Sequence, residues 1–141
     1  MEIQSKELRI GNLLQYCTQT VHVMCIQTLS DKYDVELGYY VDSAGFQRKL
    51  SDEDVKPIPL TEDWLVKFGF KYLGEGYSTN IFYKQGCLVN WSYRVKESMH
   101  DGEWVLEQGF MDQWSVVLST LEYVHQLQNL YFALTGEELN I

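Results

Sequence analysis

Cysteine is scarce and unpatterned in this chain. Cys17, Cys25 and Cys87 are odd in number and form neither a CxxC pair nor a metal-like spacing. That argues against a disulfide scaffold and for free thiols in a reducing, cytoplasmic setting. Positive charge is also short, since 11 Lys and Arg face 20 Asp and Glu and leave a net charge of −9. A field of that sign repels phosphate, which speaks against nucleic acid and anionic membranes as partners. No apolar run approaches the ~20 residues that span a bilayer. The first residues, MEIQSKELRIGN, lack the basic start and apolar stretch of a signal peptide.

Reactive constellations are missing as well. There is no GxSxG elbow, no SxxK and no cysteine beside a base. His22, His100 and His125 share no metal-binding spacing, so no metal site is expected. Gly74-Glu75-Gly76 has no GxGxxG continuation and reads as a loop. The paired carboxylates Glu62-Asp63, 52–54 and Glu137-Glu138 fall in caps and turns, where solvation and helix dipoles account for them. No residue is assigned a catalytic role and no cofactor is implied.

What the chain has in quantity is aromatic side chains: 10 Tyr, 6 Phe and 4 Trp, which favour pleated, half-buried surfaces. Extended runs at 13–18, 21–29, 34–41 and 46–50 are separated by turn chemistry at 31–32 and 42–45, with a 3₁₀ turn at 51–54. Strands that short and that closely spaced predict an SH3-like small β-barrel over residues 1–58. Pro57 and Pro59 are the only prolines and mark the boundary. Beyond them, Thr61 stands as N-cap of a short helix with Glu62 and Asp63 in its first turn. Gly69 followed by Phe70 predicts a Schellman ending. Strands at 79–84, 87–96, 104–106 and 114–118 follow, with turns at 85–86 and 100–102 and a break at Gly109. The fold class is α+β, with lobes at 1–58 and 59–141.

The stretch STLEYVHQLQNLYFALTG (119–136) predicts a docked helix, with Ser119 and Glu122 as a capping box and Gly136 as its C-terminal stop. Tyr123, Val124, Leu127, Leu130, Tyr131 and Leu134 make its apolar face. Leu121, His125, Gln128, Asn129 and Phe132 make a second stripe. A stripe of amides, imidazole and an aromatic ring suits a small polar ligand or a partner chain; buried instead, its amides need internal partners. His125, Gln128, Asn129 and Phe132, with Trp91 and Tyr93 as stacking rings, are therefore the candidate ligand or partner surface. Rings in a small sheet also serve as core, and that reading stands beside the first.

ELRIGN (7–12), PIPLTEDWLVKFGF (57–70) and YVHQLQNLYFALTGEEL (123–139) together resemble a family of small proteins of gut Bacteroidetes, their prophages and phages. That family has no established activity, so the resemblance implies a cytoplasmic protein of phage or prophage type and transfers no site residue. The missing catalytic constellations, the abundant aromatics and the SH3-like start favour a non-catalytic binding protein of unknown protein partner, and exposed tyrosines on the second lobe's sheet offer a two-fold interface for a homodimer. One alternative is a small-molecule binder that sequesters a nucleotide. The other is a hydrolase using His100 or His125 as base.

Overall fold

The computed structural model describes residues 7–28, 35–41, 46–51, 55–76, 79–85, 91–97, 103–111 and 113–141, without the side chains of 24–28, 35–41, 46–51, 75–76, 79–80 and 119. The turns expected at 31–32, 42–45, 52–54, Gly86 and 100–102 lie outside these residues, as does Cys87. Two compact units divide the chain. One comprises Met1–Pro59 and Tyr123–Leu130, the other Leu60–Glu122 and Tyr131–Ile141.

In the first unit β1 (Leu13–Tyr16), β2 (Gln19–Thr28), β3 (Val35–Val41) and β4 (Phe46–Ser51) form an antiparallel meander in that order. Alternation along the strands sets its register. Leu14 lies opposite Val21, and these two join Val23, Leu8 and Val55 in a buried cluster with Tyr16 against it. β1 stops two residues short of the expected run because Cys17, at φ +53°, and Thr18 make the hairpin turn. The free edge of β1 takes a reciprocal pair of backbone bonds to Lys56, both 2.9 Å. The SH3-like barrel expected over 1–58 is not formed by the described strands. Each pairs with its neighbour in sequence, β1 and β4 end at opposite edges, and the sheet stays open.

The second unit opens with α1 (Glu62–Lys67). Thr61 occupies the N-cap in extended backbone, but its side chain makes no capping hydrogen bond; its carbonyl accepts from the Trp64 and Leu65 amides instead. The Schellman ending forms as expected. Gly69 turns at φ +85°, its N–H donates to Val66 O at 2.9 Å, and the Phe70 N–H donates to Leu65 O at 3.0 Å. Five antiparallel strands follow as a second open meander: β5 (Lys71–Gly76), β6 (Thr79–Gln85), β7 (Trp91–Glu97), β8 (Trp104–Phe110) and β9 (Gln113–Leu121). Gly74-Glu75-Gly76 belongs to bulged β5 rather than to a loop. Gly109 does not break its strand. It sits inside β8 opposite Trp114, and a Cβ there would stand 2.8 Å from that indole, so the glycine is where a ring lies flat on the sheet. The core is aromatic, with Tyr93 edge-on to Tyr131 at 5.4 Å and Phe82 to Trp104 at 6.0 Å. The Trp104 indole N–H donates to Leu60 O at 3.0 Å.

α2 (Val124–Thr135) begins later than the Ser119 cap predicts. Pairing of Trp104 with Leu121 keeps the preceding residues extended in β9. The reciprocal half of a capping box appears one turn on, where the Tyr123 N–H donates to Gln126 Oε1 at 3.0 Å. Gly136 closes the helix with its N–H on Phe132 O at 2.7 Å. Residues 124–130 of α2 belong to the first unit and the rest to the second. Among the described residues no helix is long and apolar enough to cross a membrane.

Candidate functional site

In the first unit the polar stripe of α2 meets the segment before β1. Gln128 is 1% exposed. Its Oε1 accepts the Leu13 N–H at 2.9 Å and its Nε2 donates to Gly11 O at 3.3 Å. Asn129 Oδ1 accepts from Asn12 Nδ2 at 2.9 Å and from an Arg9 Nη at 3.3 Å, while its Nδ2 donates to Glu7 O at 2.7 Å. Asn12 in turn folds the segment on itself, its Oδ1 accepting the Arg9 N–H at 2.6 Å. Two backbone bonds anchor the segment to β2: Gly11 N–H to Val23 O at 2.7 Å and Val23 N–H to Asn12 O at 2.9 Å. Residues 7–12 are thus a strap, tied to α2 by side-chain amides. A third stretch joins them where the Val124 N–H donates to Ile58 O at 2.9 Å. Three stretches far apart in sequence, Glu7 to Asn12, Ile58 and Val124 to Asn129, thus meet in the first unit.

His125 lies one turn before Asn129 and is 2% exposed. Its ring stacks on Tyr123 with centroids 5.9 Å apart and planes 15° from parallel. Neither ring nitrogen meets a hydrogen-bond partner among the described residues. Burial pushes the imidazole below its ordinary pKa, against a smaller opposing pull from the Glu7 carboxylate. The stripe is therefore not a free row of donors and acceptors. Gln128 and Asn129 are engaged by the strap, His125 is enclosed, and Phe132 falls in the second unit, 37% exposed.

The two candidate rings on β7 part company. Tyr93 is buried against Tyr131 and accepts from Gln108 Nε2 at 3.4 Å. Trp91 is half-buried against Phe110, centroids 4.9 Å apart. Phe110 is 43% exposed, and Met111 beyond it is 66% exposed with φ +54°. Trp91, Phe110 and Met111 make an apolar tip where β8 turns toward β9.

One buried charge escaped the reading from sequence. Glu107 on β8 pairs with Arg94 Nε and, at 2.8 Å, with Lys96 Nζ, both on β7. Burial alone would raise its carboxyl; hydrogen bonds from Lys96 and Arg94, with their charges, outweigh that and hold it below the usual carboxylate range. The Arg94 guanidinium lies 4.1 Å from the centre of the Trp114 ring, so β7, β8 and β9 are stitched by Glu107, Arg94 and the indole over Gly109. Alternation along 91–96 places Arg94 and Lys96 on one face, but only the register Arg94↔Glu107 brings the acid to them.

His100 lies outside the described residues. Among those described, no three His, Cys, Asp or Glu gather as a metal-ligand set. No protein-family model, curated protein or solved structure matches the chain.

Proposed function

We propose that this chain is a non-catalytic binding protein that offers the tip of its second unit to a protein partner. The observation that carries the reading is the exposed pair Phe110 and Met111, braced by Trp91. Large apolar side chains that share a turn are the anchors on which binding energy concentrates. A left-handed backbone at a residue with a Cβ costs about 1 kcal/mol, and Met111 carries that cost at the point of greatest exposure. Sites of this kind are enriched where binding repays the strain. The net charge of −9 favours a partner with a neutral or basic face. The exposed free thiol of Cys17 fits a reducing, cytoplasmic compartment. The sequence resemblance adds a bacterial host and a phage or prophage origin to the proposal.

The test is a comparison of captured partners. Wild-type protein, Met111→Asp, and Thr20→Asp on the first unit are immobilised and exposed to bacterial lysate. Met111→Asp is expected to lose a partner that wild type and Thr20→Asp both retain, with circular dichroism unchanged. Equal recovery on all three surfaces, or recovery on none, refutes the assignment to the tip.

A further inference from the structure

We infer that uptake of a proton by His125 releases the strap of residues 7–12 from α2, so that the first unit carries a pH-sensitive clasp independent of the apolar tip. The clasp is local by construction. Among the described residues the strap holds α2 through the side chains of Arg9, Asn12, Gln128 and Asn129, which meet one another, the Leu13 amide and two carbonyls. His125 and Asn129 are four residues apart and share a face of α2.

The neutral ring is tolerated because an imidazole stacked on Tyr123 is mostly apolar surface. The imidazolium is a different object. It has two charged N–H donors, is 2% exposed, and has no acceptor within reach of either among the described residues. An enclosed charge without a partner is among the most costly arrangements in a protein, and the chain relieves it by letting water in. The strap's hold on α2 is the contact that yields, since among the described residues side-chain bonds make it.

The charged and titratable groups around the ring support this direction. On the strap, the Glu7 carboxylate is exposed and draws the ring toward its charged form, while Arg9 is engaged by Asn129. Tyr123 covers one ring face. Tyr16 on β1, exposed His22 on β2 and exposed Lys56, bridged to β1, are not among the groups that act on the ring. Of the described charges, Glu7 is the one that acts on the ring. An anion on the strap that attracts the imidazolium, and a strap that stays anchored to β2 while its side chains let go of α2, make an opened state in which His125 is both hydrated and near Glu7.

The experiment is amide exchange read by NMR at a series of pH values, corrected for intrinsic rates, on the intact chain. The reporter is the Leu13 amide, whose acceptor is Gln128 Oε1. The control is the Val95 amide on β7 in the second unit. Below about pH 6.5, Leu13 protection is expected to fall by up to about tenfold per pH unit until the folded-state ring itself titrates. Val95 should stay protected over the same range. His125→Phe keeps the stacked ring and removes the proton site, so its Leu13 protection should not vary. If that variant does not fold, Glu7→Gln with the wild-type ring shifts supplies the decision: ring titration and Leu13 deprotection should move together to lower pH. Loss of protection at Val95 in step with Leu13 marks global unfolding and overturns the inference. So does an equal fall in His125→Phe, or a Leu13 amide indifferent to the titration of His125.

Discussion

Replacing Gln128 with leucine fills a similar volume at a buried position of α2 and removes the amide that binds the Leu13 N–H and Gly11 O, while Asn129 keeps its own bonds to the strap. The largest consequence falls on the Leu13 amide, which donates to Gln128 Oε1 at 2.9 Å and lies at the buried start of β1. An enclosed donor left without its acceptor costs about 1–3 kcal/mol. Loss of the 3.3 Å bond from Nε2 to Gly11 O adds about 0.5 kcal/mol, a low value for a long, partly buried contact. The added apolar surface returns a small part of this, so the net loss is about 2 kcal/mol. Against a total stability of about 5–15 kcal/mol that is a large fraction. For a chain of this size it corresponds to a fall in Tm of about 4–8 °C. Urea unfolding followed by tryptophan fluorescence gives the energy; exchange at the Leu13 amide shows where it arises. A Gln128→Leu protein within about 0.5 kcal/mol of wild type, the range of ordinary surface substitutions, would falsify the claim that these amides are what closes the first unit.

Two further predictions concern the second unit. Glu107→Gln removes the carboxylate that Arg94 and Lys96 share and should cost about 2 kcal/mol at neutral pH, less than a fully enclosed pair because both cations keep some access to water. The folded-state pKa of Glu107 is depressed. Its contribution is therefore fully present above the unfolded value of about 4.5 and fades as pH falls through the folded one. The gap between wild type and variant should accordingly close in acid, and a gap that widens there contradicts the assignment. Gly109→Ala places a methyl group 2.8 Å from the Trp114 indole; displacing the ring and the Arg94 above it should cost about 1–3 kcal/mol. It should also shift the Trp114 fluorescence, and an unchanged spectrum with unchanged stability would mean that the indole does not lie on Gly109.

The readings from sequence that survive are those with a short physical range. Gly69 and Phe70 close α1 through bonds to Val66 and Leu65, all within six residues, so the pattern was readable in one dimension. Gly136 ends α2 for the same reason. The start of α2 was misplaced because Ser119 and Glu122 satisfy the local rule for a cap, yet a strand pairing between Trp104 and Leu121 overrides it. Gly109 invites a break until an indole from the next strand is seen to occupy the space a side chain would take. Glu107 resembled any other acid in an acidic chain, since its partners are on a neighbouring strand.

The amide-rich stripe of α2 shows the division most directly. Helical spacing places His125, Gln128 and Asn129 on one face, and burial of that face obliges its amides to find partners. Composition likewise pointed to sheet, since its many aromatic rings favour a pleated surface. Which groups answer Gln128 and Asn129 was not decidable from spacing, because the Leu13 amide lies 115 positions away and Glu7 122. Closing so long a loop is a property of the whole chain. Local chemistry sets what each residue requires, and only the tertiary structure sets which distant residue meets the requirement.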